Sequence, residues 1–118
     1  MRFSVIFIFL FSLVNADNIR EIYRAQLSYK DHYNSSGHRL ETVASILRQD
    51  RANYHKFHRR DSLDTGDKFF ALKENRAVFE RILQNSYISN HIREEILYGE
   101  PTVIVTIYFD DSISIKLY

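Results

Sequence analysis

Cysteine is absent from this sequence of 118 residues. The chain therefore cannot form disulfides, cysteine-ligated zinc sites or a thiol nucleophile. Internal repeats, low-complexity tracts and long linkers are absent as well, and the length suits one domain. Because small secreted domains usually add disulfides, the stability of this one must come from apolar packing, which favours a regular, well-packed fold.

Residues 1–16 have the pattern of a secretory signal. Arg2 supplies a positive charge, an apolar run occupies residues 3–14, and Val14 and Ala16 stand at positions −3 and −1 of a cleavage site. The run is too short to cross a bilayer, which takes about 20 residues. We therefore expect a cleaved signal over 1–16 and a secreted, extracellular domain over 17–118 without membrane attachment. A retained anchoring helix is the alternative.

The expected mature domain carries no net formal charge. Of 16 Lys and Arg residues, Arg2 is lost with the signal, which leaves 15 basic residues against 15 acidic ones. Basic residues concentrate in residues 38–60 and acidic residues in 94–118. A neutral domain with one basic and one acidic half is not typical of a nucleic-acid binder, so no nucleic-acid partner is expected.

Two helices are predicted in the first half of the domain. Apolar residues at helical spacing predict one helix over residues 17–33, and a turn follows at 34–37. A second helix is predicted over 38–60, interrupted on its apolar face at Asp50 and Arg51. Residues 61–67 read as a loop by composition.

The second half combines a helix with strands. Residues 69–72 are a short apolar run that fits a strand or the start of a helix, and 74–84 are helical by spacing. Residues 102–109 and 112–118 predict two strands. A three-residue loop over 110–112 would place Phe109 opposite Ile113, Ile107 opposite Ile115 and Val105 opposite Leu117, which brings the apolar residues to one face.

Residues 87–98 fit two structures. As a helix, this segment would place Ile88, Ile92 and Ile96 on one face and end at Gly99. As a strand, it would pair Ile96 with Val103 and Ile92 with Ile107. The register agreement favours the strand. The predicted fold class is thus α+β, with N-terminal helices packed on a curved antiparallel sheet that ends in a C-terminal β-hairpin.

Residues 69–111 carry a resemblance to a known superfamily. FFALKENRAVFERIL, the EEILYGEP turn and TVIVTIYFDD follow the element order of the nuclear transport factor 2-like, or cystatin-like, α+β cone, which this segment resembles. The resemblance implies a concave sheet face that serves as a pocket for apolar small molecules. Some members of that superfamily are isomerases or dehydratases, and others are binding or dimerisation modules.

The predicted function is non-catalytic binding on this concave face. Its occupant would be a small apolar ligand, a protein partner or a second copy of the chain, and no cofactor is expected. In the strand register Glu94 lies among apolar residues, where burial would raise its pKa. The alternative is therefore a small extracellular isomerase or dehydratase with Glu94 or His91 as base. The predicted lining residues are Ile92, Glu94, Val105, Ile107 and Phe109.

Three further motifs bear on function. Asn34 begins an Asn-Ser-Ser sequon, which predicts N-glycosylation in a secreted protein. His55 and His58 lie three residues apart at the end of a basic helix, where surface histidines are common, so no metal site is expected. The basic helix itself is a third functional alternative, as a surface for a partner protein.

Overall fold

Residues 18–118 are described in the computed structural model of this chain, and they form three α-helices and one three-stranded antiparallel sheet. The α+β class is confirmed. The expected signal segment at 1–16 lies outside the described residues. Short 3₁₀ helices occupy Tyr29–His32 and Phe69–Ala71. The main elements are β1 (Ile19–Gln26), α1 (Val43–His55), α2 (Lys73–Gln84), α3 (Asn90–Tyr98), β2 (Thr102–Tyr108) and β3 (Ile113–Leu117).

The predicted N-terminal helix over 17–33 is wrong, because its centre is the strand β1. This strand pairs antiparallel with β2. Tyr23, Ala25 and Leu27 are buried at alternate positions, whereas Ile22 is 51% exposed. That alternation has the period of a strand. The expected order of helices leading into a sheet is therefore corrected to a strand, three helices and two strands.

Helix α1 is shorter at both ends than the predicted helix over 38–60. Thr42 caps its first turn, since the Thr42 hydroxyl accepts a hydrogen bond from the Ser45 amide at 3.1 Å. Arg39 lies outside the helix and forms an isolated bridge with Tyr33. The C-terminal end lies at His55, and His58 has a left-handed φ of 53° that no helix continues through.

Helix α3 corrects the strand interpretation of residues 87–98. The Ser89 side chain accepts from the Ile92 amide at its start, and the Gly99 amide donates to the Glu95 carbonyl at its end. Ile96 is fully buried and Ile88 nearly so, as the helical spacing implies. The proposed pairing of this segment with Val103 and Ile107 therefore does not occur, and β2 pairs with β1 and β3 instead.

The helix predicted over 74–84 is confirmed as α2. Its first turn follows the short 3₁₀ helix at Phe69–Ala71, so the apolar run at 69–72 is neither a strand nor part of α2. Phe79 and Leu83 face the core, whereas Val78 is 36% exposed.

The two predicted C-terminal strands are present as β2 and β3. The Tyr108 amide donates to the Ser112 carbonyl and thereby closes a three-residue loop over 109–111, one position earlier than the predicted loop over 110–112. The observed pairs are Ile107 with Ile113, Val105 with Ile115 and Val103 with Leu117. The predicted register is off by two residues, but its parity is right, so the apolar residues share one face.

The loop between β2 and β3 yields a pair of opposite stability effects. Asp111 has a left-handed φ of 68°, which strains a non-glycine residue. Asp111→Gly should raise the free energy of unfolding by about 0.5 kcal/mol, because relief of strain exceeds the added freedom of the unfolded chain. Urea denaturation measures the change.

Asp110 in the same loop is the control. Its carboxylate accepts from the Ser112 amide at 2.9 Å and from the Ser112 hydroxyl at 2.6 Å. Asp110→Gly should therefore lower the free energy of unfolding, because it removes both hydrogen bonds. Equal losses for the two variants would contradict the assignment of strain to Asp111.

The outer edge of β1 is covered by the loop at residues 61–67, whose irregular conformation is as predicted. The Arg24 amide donates to the Thr65 hydroxyl at 2.7 Å, and the Thr65 amide donates back to the Arg24 carbonyl at 2.9 Å. The Gln26 amide donates to the Asp64 carboxylate at 2.8 Å. These bonds satisfy backbone groups that an edge strand leaves open.

Candidate functional site

The residues predicted to line one pocket lie in four different environments. Glu94 is exposed on α3, as is His91, so neither has the desolvated setting that a buried strand would have given it. Val105 and Ile107 are core residues in the central strand. Phe109 is 59% exposed in the loop after β2. Of the five, Ile92 alone lines a cleft, at the boundary between the helices and β3.

Within residues 18–118, backbone groups on the outer edge of β3 have no hydrogen-bond partner. The Tyr118 amide donates to the Thr102 carbonyl at 2.8 Å, and the Tyr108 amide donates to the Ser112 carbonyl at 3.0 Å. Since hydrogen-bonded positions alternate along an antiparallel pair, the amides and carbonyls of Ile113, Ile115 and Leu117 point away from β2. No other strand among residues 18–118 pairs with this edge.

An apolar cleft lies directly beside that edge. It has a volume of about 100 Å³ and is formed where α2 ends, α3 begins and β3 passes beneath them. The side chains of Ile113 and Ile115 form its sheet side. Those two residues thus face the cleft with their side chains and the open edge with their backbone. The helix-side lining residues are Leu83, Ser86, Tyr87, Ile88, Ser89 and Ile92.

The size of the cleft decides what it can hold. Small-molecule sites usually measure about 300–1,000 Å³, and an engineered cavity of about 150 Å³ holds benzene. At about 100 Å³, this cleft is suited to one aliphatic side chain. Its lining includes a tyrosine and two serines but no carboxylate, histidine, lysine or arginine. These residues offer apolar surface and hydroxyl groups to a bound side chain.

A second cluster of polar residues is buried beneath α1. Arg51 is completely buried, and its Nε donates to an Asp50 carboxylate oxygen at 2.8 Å. Its Nη1 donates to the Asp67 carboxylate at 2.7 Å and to the Thr65 carbonyl at 3.0 Å. The guanidinium carbon lies 4.0 Å from the centre of the Tyr23 ring. One arginine thus joins α1 to the loop before α2.

Burial governs the protonation of this cluster. It raises the pKa of the Asp50 carboxyl to about 8, although the adjacent Arg51 guanidinium favours the charged form. The single guanidinium serves two carboxyl groups, and Asp50 accepts from Arg51 alone within residues 18–118, so burial outweighs the favourable charge. Burial likewise raises the pKa of the Tyr23 phenol. The Asp50 and Arg51 side chains are at most 1% exposed, so the cluster is a structural one closed to substrates.

The sequence offers a signal for this cluster. Asp50 and Arg51 interrupt the apolar face of the predicted second helix, and charged residues on a buried face occur in proteins when they are paired. The partner Asp67 lies in a loop 16 residues further on. No local pattern indicates that the loop returns to α1.

The two histidines at the basic end of the predicted helix, His55 and His58, lie in different surroundings. His55 Nε2 lies 3.1 Å from the Asp67 carboxylate, and His58 lies in the exposed segment that follows α1. Within residues 18–118, no group of three or more potential ligands is placed to hold a metal ion. A search of the same residues finds no helix with the length and hydropathy needed to span a membrane.

Comparison with protein-family models, with curated proteins and with solved structures finds no match to this chain. The resemblance to the nuclear transport factor 2-like cone stays a prediction.

Proposed function

We propose that this protein is a non-catalytic binding module that holds an extended peptide segment of a partner protein against the outer edge of β3. One observation carries the proposal. Backbone groups on Ile113, Ile115 and Leu117 that have no partner within residues 18–118 lie beside a small cleft that takes one side chain. Strand addition uses this combination, in which main-chain hydrogen bonds give affinity and side-chain pockets give specificity.

The expected affinity follows from the size of the site. Each added main-chain hydrogen bond contributes about 1 kcal/mol net, and a buried aliphatic side chain contributes about 1.5–3 kcal/mol. Association costs several kcal/mol of lost freedom. Because the three β3 residues offer at most about six such bonds, the balance is about −4 to −5 kcal/mol, and the expected dissociation constant is about 0.2–1 mM.

The two faces of β3 predict the pattern of the peptide. Side chains on the helix side of an added strand would meet Ile113, Ile115 and the cleft. Side chains on the other side would meet Ser114 and Lys116, which alternate with the isoleucines. Because opposite charges in cross-strand pairs stabilise a sheet, we expect an aliphatic residue followed by Asp or Glu.

The other predicted occupants are less well supported. A small apolar ligand on a concave, curved sheet face stays a prediction, but the central helix-facing residues Val103 and Val105 are fully buried. A second copy of the chain could use the same β3 edge, and a dimer that forms without peptide would favour that occupant. Secretion also stays a prediction, and the peptide proposal does not depend on it.

A displayed library of random peptides of about ten residues, long enough for one strand, tests the proposal. Enriched sequences should alternate aliphatic and acidic residues. On addition of an enriched peptide, amide resonances of Ile113, Ile115 and Leu117 in the full chain should shift. Failure to enrich any peptide would overturn the proposal, as would shifts confined to α1.

Filling the cleft should prevent this binding. Ser86 lies in the cleft lining, and Ser86→Tyr would place a ring in the space assigned to the peptide side chain. We expect the affinity for an enriched peptide to fall at least about tenfold, or 1.4 kcal/mol, as measured by isothermal titration calorimetry.

Gln84→Tyr is the matched control, since Gln84 is exposed at the end of the same helix and does not line the cleft. It should bind the peptide as the unmodified chain does. Thermal unfolding of both variants reports whether each is folded. Equal affinities for two folded variants would place the peptide elsewhere.

A further inference from the structure

A second groove shares no lining residue with the β3 cleft, and Asn34 and Ser35 of the sequon line it. It measures about 450 Å³, within the size range of small-molecule sites, and Asn34 is one of its lining residues. Tyr29, Tyr33 and Phe57 supply aromatic surface, and Gln49 and Asn53 supply amide groups. We propose that an N-linked glycan on Asn34 folds back and packs its first sugars into this groove.

The local backbone orients Asn34 for this role. Its side-chain oxygen accepts hydrogen bonds from the amides of Ser36 and His38, both at 2.9 Å. The Gly37 amide closes the turn on the Asn34 carbonyl, and Gly37 adopts the left-handed φ of 83° that glycine favours. The side-chain nitrogen, the atom to which a glycan attaches, makes no hydrogen bond within residues 18–118.

The chemistry of the groove matches a sugar. The rings of Tyr29 and Tyr33 lie with centroids 4.7 Å apart, and Tyr29 is 70% exposed. An exposed aromatic pair offers a flat apolar surface for the C–H face of a pyranose ring. Sugar hydroxyls can bond the half-buried Gln49 amide, whose Nε2 donates to Asn53 Oδ1. Asn53 itself is 1% exposed, and its Nδ2 already donates to Asp31.

Attachment makes the protein's own glycan the favoured occupant. A tethered group meets its site at an effective concentration in the millimolar range, which a free sugar rarely reaches. The glycan begins on a lining residue of the groove, so its first sugars need no long reach. The inference depends on entry into the secretory pathway, which residues 1–16 are expected to direct, and it is independent of peptide binding at β3.

The experiment expresses the full chain in a secreting eukaryotic cell line. Intact mass spectrometry should show a secreted glycoprotein whose added mass disappears after treatment with peptide N-glycosidase. Asn34→Gln and Ser36→Ala should both abolish that mass, the second with Asn34 still in place. A chain that is secreted without a glycan, or that stays in the cell without one, would overturn the proposal.

Packing is tested by the rate of deglycosylation of the native protein. Tyr29→Ala should lose its glycan about tenfold faster than the unmodified chain. Tyr98→Ala is the matched control, because Tyr98 is 82% exposed on α3 and does not line the groove. If the unmodified chain, Tyr29→Ala and Tyr98→Ala all lose the glycan at one rate, the glycan does not occupy the groove.

Discussion

Replacing Arg51 by methionine should lower the free energy of unfolding by about 3–5 kcal/mol. Native domains are stable by about 5–15 kcal/mol in all, so this is the largest single effect expected in the chain. The cause is the loss of the only described cation that bonds both Asp50 and Asp67, which leaves two carboxyl groups buried without it. Methionine fills the space with a flexible unbranched side chain, so cavity formation adds little.

Arg48 provides the control for this substitution. It lies on the same helix and pairs with Glu80 at 2.7 Å, but both side chains are partly exposed, at 34% and 23%. Arg48→Met should cost less than about 1 kcal/mol. Urea denaturation followed by circular dichroism gives both values. A loss at Arg51 no larger than that at Arg48 would refute the role assigned to the buried cluster.

A triple variant separates lost pairing from lost packing. Asp50→Asn and Asp67→Asn, combined with Arg51→Met, remove every formal charge from the arginine–carboxylate contacts. Because replacing a whole buried ion pair is often neutral, whereas breaking one is costly, the triple variant should recover most of the stability that Arg51→Met alone loses.

The second large effect is a loss of stability as pH rises. The pKa of Asp50 is raised by burial from 3.8 to about 8. Between these values the folded chain keeps the Asp50 proton and the unfolded chain releases it, so the folded state binds more protons. This contribution is fully present below about pH 4 and is lost as the pH rises to about 8, at up to about 1.4 kcal/mol per pH unit.

Asp50→Asn isolates this contribution, because asparagine keeps the neutral shape that the protonated carboxyl has in the folded state. The groups whose charges act on Asp50 are Arg51, Asp31 and Asp64, and all three are retained. Urea denaturation between about pH 5 and about pH 8 should show a steeper decline for the unmodified chain than for Asp50→Asn. Parallel declines would mean that Asp50 is ionised in the folded protein.

Local sequence patterns predict those elements whose burial pattern matches their period. Helix α2 and the strands β2 and β3 are of this kind. Strand β1 is not, because Ile19, Ile22, Tyr23 and Leu27 fit a helical stripe although only the last two are buried. The conformation of β1 is determined by pairing with β2, which follows some 75 residues later in the sequence. A short window of sequence around β1 does not include this pairing partner.

Helix α3 is the reverse case, since its sequence favours a strand and the segment is a helix. Isoleucines at a spacing of four suit one face of a helix and one face of a strand equally. The capping by Ser89 and the closure at Gly99 distinguish the two. Among the residues predicted to line the pocket, Ile92 alone lines this cleft. The cleft is formed by the end of α2, the start of α3 and β3 together. Its shape exists only after these elements have packed.

The covered edge of β1 has a consequence for self-association. If the β3 edge of one copy approached the β1 edge of a neighbour, the backbone amides of Arg24 and Gln26 in β1 would already be bonded to Thr65 and Asp64. Head-to-tail stacking, which generates filaments when it fails to close, is thus blocked at one end. The pairing that residues 18–118 leave open is β3 with β3 about a two-fold axis. That arrangement is complete at two copies, so edge pairing through β3 among residues 18–118 closes at a dimer.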